Sequence, residues 1–422
     1  MKIEALRALR HRNFRLYFWG QSVSLAGTWM TRLATSWLVY RLTDSSLLLG
    51  VVSFAGQIPT FLLSPFAGVW VDRWERRPVL LTTQFLAALQ SLALAALTLS
   101  GHITVPEIIG LSILQGLINA FDVPGRQSFL VQMVGGRADL GNAIALNSAM
   151  VNGARLVGPA LAGITIAAVG EGYCFLIDGV SYFAVIASLL AMRLDAPPVR
   201  KAATSMLVQL KEGWVYVSTF APIRTVMILF AIISFMGVPY AVLMPVFADK
   251  ILKGGPHTLG LLMGASGIGA GIAALAMAAR KSVRGLDTAV AFAAALMGGG
   301  LIAFSFSRNL WLSLVLMALA GFGMMQSYTA SSTIIQTIVD EDKRGRVMSY
   351  WTMAYMGASP FGSLLAGGLA PILGAPGTII VCGLGCIVGA LWFWLQLPKL
   401  RPQLRPIYEK LGILPLTARK IA

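Results

Sequence analysis

Charge is what this chain of 422 residues has least of. Charged residues make up 12% of it, against roughly 25% in soluble domains. Hydrophobic residues supply 57%, and mean hydropathy is +0.75. No soluble fold of this length needs so much apolar surface, so the composition excludes one. Histidine is nearly absent: His11, His102 and His257 all fall in expected helix flanks or loops. Neither His-Glu-x-x-His nor Gly-x-Ser-x-Gly occurs, no catalytic constellation forms, and no enzyme is expected. Cys174, Cys382 and Cys386 all lie in apolar runs, which leaves no disulfide framework and no metal spacing. No cofactor is expected. The phosphate-cradling Gly-x-x-x-x-Gly-Lys-Ser/Thr is missing, which excludes ATP hydrolysis by this chain. Gly264-Ala-Ser-Gly267-Ile-Gly269-Ala-Gly271 resembles a dinucleotide fingerprint, but it sits inside an apolar run with no strand before it. It is helix packing.

What the chain does have is long apolar runs. A spanning helix needs about 20 apolar residues, whereas a membrane barrel shows alternating segments of about 10. The continuous runs predict an all-α polytopic membrane protein. Twelve spans are expected at roughly 15–40, 47–71, 78–100, 105–130, 142–168, 173–193, 223–248, 258–279, 286–307, 310–338, 347–370 and 374–397. The net charge of +16 suggests nucleic acid until topology is considered. Only Arg41, Lys250, Lys253 and Arg308 fall on one side of such a fold, and Arg32, Arg126 and Arg155 fall inside spans. All the rest of the 33 basic residues share the side of the termini. That asymmetry is the orientation signal of membrane proteins. Both termini are expected in the cytoplasm, the bilayer is the large partner, and no nucleic acid is expected. The first apolar run is too long for a cleavable signal peptide, so none is expected.

Several polar residues interrupt the runs. Gly68-Val-Trp-Val-Asp72-Arg73-Trp-Glu-Arg76-Arg77 closes the second span in a short charged turn. Asp122 and Arg126, four apart near the end of the fourth span, share one helix face and can pair. Arg32, Asn152, Arg155 and Asp178 are polar or charged inside spans, where such groups are costly and suggest function. Arg155 is near mid-span, where it should face a cavity or find an acid, and Asp178 is the nearest candidate acid in sequence. Asp178 is, besides Asp122, the only acid of the first half placed well inside a span. Gly158-Pro159-Ala-Leu-Ala-Gly163 packs the fifth span with small residues that let backbones approach. Gln21, Gln115, Tyr240, Met324, Met325, Gln326 and Tyr328 are expected to face a central cavity.

The chain also repeats itself. A constant offset of 204 residues places Gln132 on Gln336, Gly141 on Gly345, Gly158 on Gly362, Leu161-Ala-Gly163 on Leu365-Ala-Gly367, and Gly170 on Gly374. Two related halves are therefore expected: a six-helix lobe over 1–194 and another over 223–398. The intervening 195–222 reads as an amphipathic cytoplasmic linker, and 399–422 as a basic tail.

The Gly-x-x-x-Asp-Arg-x-x-Arg-Arg pattern resembles the loop between the second and third helices of the major facilitator superfamily, with Glu75 where that family usually has glycine. Gly-Pro-x-x-Ala-Gly in a fifth span resembles the kinked-helix motif of its exporting, antiporter branch. Asn13-Phe-Arg-Leu-Tyr-Phe-Trp-Gly-Gln21, Trp37-Leu-Val-Tyr40, Asn142-Ala-Ile-Ala-Leu-Asn147 and Glu212-Gly-Trp-Val-Tyr-Val are similar to the bacterial efflux branch of enterobactin exporters and macrolide-efflux proteins. Thr28 and Ser112 depart from that branch, which often has an acid and an arginine there. The resemblance implies two pseudo-symmetric six-helix lobes working as a monomer in the inner membrane. It implies export of a small, partly apolar organic molecule, a siderophore or drug-like compound, by alternating access with proton antiport. It also implies that Asp72, Arg76 and Asp122, flanked by Gly68, Arg73, Arg77 and Arg126, form a cytoplasmic latch rather than a substrate site.

Overall fold

Inside a bilayer each backbone N–H and C=O must find a partner within its own segment or a closed barrel. In the computed structural model the described residues form helices and no strands. Those residues are 4–134, 139–193, 206–280, 282–341 and 343–413, without the side chains of 4, 5, 65, 68, 69, 72, 73 and 206–210. The side chains of Asp72 and Arg73, the environment of Gly68, residues 195–205 of the expected linker and 414–422 of the tail lie outside this description.

The first lobe is built from α1 (Arg12–Thr43), α2 (Ser46–Arg73), α3 (Arg76–Leu99), α4 (Val105–Met133), α5 (Leu140–Val169) and α6 (Glu171–Ala191). After a connecting helix, α7 (Met206–Thr219), come α8 (Ala221–Ile251), α9 (Gly255–Ala278), α10 (Leu286–Phe306), α11 (Leu310–Ile338) and the long Arg344–Lys410. Gly374 breaks that last helix with φ 73° and ψ 161°, giving two passes, α12 over 344–373 and α13 over 375–410. Gly170 makes the same turn between α5 and α6, at φ 93° and ψ 172°. These two are partners in the sequence repeat, and glycine alone holds that backbone without strain.

Ten helices among the described residues are long and apolar enough to cross a membrane, the one bent at Gly374 counted once. The twelfth pass is α1, whose apolarity is diluted by Gln21, Thr28, Thr31, Arg32 and Thr35, all facing a central cavity. Large apolar side chains such as Leu275, Phe306, Trp311 and Ile372 point outward, each more than 65% exposed. In water such a surface would aggregate; against lipid it is the solvated face.

Two elements depart from the expected outline. Two π turns, Ile233–Gly237 and Phe247–Ile251, interrupt α8. Pro239 and Pro245 lack the N–H that an α-ladder needs. Wider bonds, Val238 N–H to the Ile233 carbonyl (3.2 Å) and Leu252 N–H to that of Phe247 (2.9 Å), take up the slack. The tail also begins as helix: α13 runs on to Lys410 through Pro398, Pro402 and Pro406. Spaced by four, these prolines put their missing donors on one helix face and spare the others. Leu400 and Leu404 are buried, and Arg401 ties the extension to Asp287 at 2.8 Å.

Within the first lobe α1 packs on α5 and α6, α2 on α4, and α3 on α6; α11 packs on α9 and α10 in the second. Across the lobes α5 meets α9, and α2 meets the Arg344–Lys410 helix.

Candidate functional site

The lobes touch at the end of the molecule away from the N-terminus. On one seam a Cβ added at Gly260 of α9 would lie 2.8 Å from the Pro159 carbonyl and 2.9 Å from Gly163 Cα. On the other, a Cβ at Gly50 of α2 would lie 2.7 Å from the Ser363 carbonyl and 3.1 Å from Gly367 Cα. Gly163 and Gly367 are repeat partners, so the seams are pseudo-equivalent. Polar contacts reinforce them. The Tyr40 hydroxyl donates to Asp249 at 2.9 Å, and Lys250 donates to Asp44 at 2.7 Å. The Lys250 hydrogen bond holds the Asp44 carboxyl below the usual carboxylate range.

Between the lobes lies a cavity of about 1050 Å³. It runs from Val39, Leu49 and Leu259 beneath the seams to Leu130, Val131 and Leu140 at the end that carries the N-terminus. The described state is therefore closed at one end and open at the other. Both lobes supply its wall, including Trp29, Gln57 and Gln115 from the first and Tyr240, Met324 and Tyr355 from the second. Of the expected cavity residues, Gln21, Gln115, Tyr240 and Met324 line it, whereas Met325, Gln326 and Tyr328 do not. Tyr328 instead packs, with tilted rings, into an aromatic cluster with Phe230, Trp351 and Tyr355.

Among the described residues four charged ones line the cavity: Arg32, Asp122, Arg126 and Arg155. Asp122 and Arg126 form the expected pair on α4, at 2.7 Å. Thr83 (3.0 Å) and Gln84 (2.7 Å) of α3 also donate to the Asp122 carboxylate, which is only 4% exposed. Thr83, Gln84 and Arg126 are thus among its partners. Arg76 opens α3, and Arg77 donates to the Leu190 carbonyl at 2.8 Å.

Of the two expectations for Arg155, it faces the cavity and does not pair with Asp178. Arg155 lies over the Trp29 ring, 5.6 Å from its centroid, and reaches Met324 Sδ at 3.6 Å. Asp178 sits on α6, on the other flank of α1. It accepts from Ser91 at 2.9 Å and from Thr28 at 3.5 Å. Sequence proximity misled because α1 lies between α5 and α6 and separates the two side chains. Thr28 also meets the Tyr182 hydroxyl at 3.3 Å, and both Thr28 and Tyr182 line the cavity. A short polar chain thus links buried Asp178 to the open space. Asn152 faces elsewhere: its amide donates to the Ser148 carbonyl of its own helix at 2.9 Å.

Helix α5 runs as one helix through Pro159, so the Arg155 carbonyl loses its usual donor. Gly267 of α9 packs on the backbone of Arg155 and Leu156. Gly158 faces Ala26 and Trp29 of α1, where any Cβ would collide with Trp29 Cβ at 2.5 Å. The motif therefore acts as two close crossings, Gly158 toward α1 and Gly163 toward α9. Sequence reading missed Trp29 and Tyr182. Trp29 is one helical turn before Arg32, a spacing that places a cation over a ring on the same face.

The comparisons with known proteins agree with this architecture. The family described as Transmembrane secretion effector matches residues 3–407. The Staphyloferrin A transporter of Staphylococcus aureus is 27% identical over 390 residues, covering 92% of this chain and 97% of that protein. The Multidrug efflux pump Tap of Mycolicibacterium fortuitum is 28% identical over 387 residues, covering 89% and 93%. Among solved structures, a bacterial homologue of the lysosomal transporter Spinster, inward-facing and unoccupied, superposes with a TM-score of 0.72. At 10% identity over 91% of this chain and 96% of that one, it speaks for the fold alone. Twelve helical passes in two lobes, a cavity between them closed at one end, and the family match over nearly the whole chain lead to one assignment: this is a membrane transporter of the major facilitator superfamily, belonging to the Transmembrane secretion effector family.

Proposed function

We propose that this transporter exports a small, partly apolar organic compound across the bacterial cytoplasmic membrane, by alternating access and in exchange for protons. The observation that carries the reading is the two-lobed cavity sealed by two glycine seams and open at the other end. Such a site exchanges sides when the lobes rock about it. With both termini in the cytoplasm, as the basic loops indicate, the open end faces the cytoplasm and is ready to load an outgoing molecule. The sequence 1–194 and 223–398 would then move as two bodies within one monomer. The relatives named above include a siderophore transporter and a drug efflux pump, which favours a siderophore or drug-like cargo.

Asp178 is the proposed proton carrier. It is 2% exposed, yet joined to the cavity through Thr28 and Tyr182. A proton can reach it without a water channel of its own. Asp122, held by three donors in the open state, is proposed to exchange partners with Arg76 when the cytoplasmic end closes, with Asp72 completing the latch.

The test uses purified protein in liposomes with an imposed pH gradient. The assay follows uncoupler-sensitive movement of catecholate siderophores, macrolides and lipophilic cationic dyes. Gradient-driven export of one class, abolished in Asp178→Asn, is the expected result. Unaltered pH-driven flux in Asp178→Asn would move the coupling site elsewhere. Net uptake would favour the alternative, a permease of the same fold.

A further inference from the structure

Two of the four charged residues that line the cavity among the described residues form no ion pair. Arg32 of α1 and Arg155 of α5 approach the same indole, with guanidinium carbons 4.8 Å and 5.6 Å from the Trp29 ring centroid. No ion pair forms at either among the described residues. The one hydrogen bond at Arg155 goes to the thioether of Met324, a weak acceptor. Asp122 is neutralised by Arg126, and Asp178 is buried behind Thr28, engaged with Ser91. Whatever the protonation state of Asp178, the arginines around Trp29 leave the middle of the cavity positive.

The arrangement is built by the fold. Three residues apart on α1, Trp29 and Arg32 share a face. Gly158, three residues after Arg155, has no Cβ to hold α5 away from Trp29. The glycine of the fifth-span motif thus brings the second guanidinium to the ring. Two like charges gathered on one indole, inside a membrane protein, are left to be completed by something negative. Arg guanidinium matches carboxylates and related oxyanions through paired N–H donors, while the indole and the facing Met324 and Tyr355 suit an apolar or aromatic body.

We propose that Arg32 and Arg155, clamped on Trp29, form the binding site for an organic anion that carries carboxylate or similar oxyanion groups on a partly aromatic frame. This rests on the transport reading above and names the class of its cargo. Because Arg155 already touches Met324 of the other lobe, an anion seated there contacts both lobes and can sense their closure.

The test is equilibrium binding to the purified full-length protein with three probes of similar frame but different charge. They are trimesate (an aromatic tricarboxylate), its neutral trimethyl ester and the cation ethidium. Trimesate should bind, and binding should weaken at least about tenfold in Arg32→Gln and in Arg155→Gln. Lysine at either position should recover part of the loss, and each variant must elute and melt like the parent. Ester binding should not respond to these changes. Preference for ethidium over trimesate, or trimesate binding indifferent to both glutamine variants, overturns the proposal. Trimesate that binds through both arginines but is not exported from liposomes would leave the site standing and refute the export reading instead.

Discussion

The glycine seams predict how the conformational equilibrium can be moved. A Cβ introduced by Gly260→Ala would meet backbone atoms at 2.8 and 2.9 Å, where comfortable heavy-atom contact begins near 3.5 Å. Backbone cannot swing aside as a side chain can, so α5 and α9 must separate by roughly 0.6 Å at the crossing. Overpacking of this kind costs about 1–3 kcal/mol. The crossing joins the lobes only while this end is closed, so the penalty falls on that state alone. It shifts the ratio of the two states by about 5- to 150-fold. Gly50→Ala acts on the other seam, against the Ser363 carbonyl and Gly367. The double variant should add the two, for about 2–6 kcal/mol, because distant sites behave independently. Spin labels at Val169→Cys and Ile372→Cys, exposed positions on opposite lobes at this end, report the separation by pulsed dipolar spectroscopy. The long-distance population should grow in each single variant and dominate in the double one. A folded, monodisperse double variant with the parent's distance distribution would refute the idea that these glycines hold the closed end.

The ion pair at the same end should respond to pH in one narrow window. The Asp44 carboxyl is depressed by Lys250, so its contribution to closure is fully present above the ordinary carboxylate value, near 4, and fades as pH falls through the lowered one. In Asp178→Asn, which removes the proposed proton carrier, the label distance should hold steady from pH 8 to 5 and lengthen only below about 4; a change centred between pH 6 and 8 in that variant would point to another group. The charge of the cargo predicts its driving force. An inside-negative potential of 100 mV adds about 2.3 kcal/mol per negative charge leaving the cytoplasm, so a fully ionised tricarboxylate such as trimesate gains about 6.9 kcal/mol. A valinomycin-clamped potassium potential at equal pH should therefore speed trimesate export more than that of the neutral ester, whose exchange for a proton moves only that proton's charge. A trimesate rate indifferent to potential would argue against movement of net negative charge.

How far the sequence alone reached depends on the range of the interaction being read. Helix ends were legible because their causes are local: Gly374 and Gly170 turn the chain by their own backbone, and their shared offset revealed the repeat before any coordinate. Arg155 stood out as a candidate because a charge in mid-span needs an explanation wherever it points. Its surroundings were not legible. The nearest candidate acid in sequence, Asp178, belongs to α6, and α6 packs its carboxylate against α1 and α3, whereas α5 brings Arg155 to another flank of α1. Trp29 was passed over because an aromatic residue in a span is ordinary until two helices deliver cations to it. The tail was read only as basic, and its helical start went unread: three prolines discourage helix one at a time, and only their spacing of four shows that they share a face. Gly158 joins the two kinds of reading. As sequence it is part of a small-residue motif explained by packing, and packing is what it does. Yet the neighbour it admits is Trp29, and the residue one turn before it is Arg155. In this chain the close crossing of α1 and α5 and the assembly of a doubly cationic site are one structural fact, so a substitution at Gly158 should disturb binding even where it leaves the fold intact.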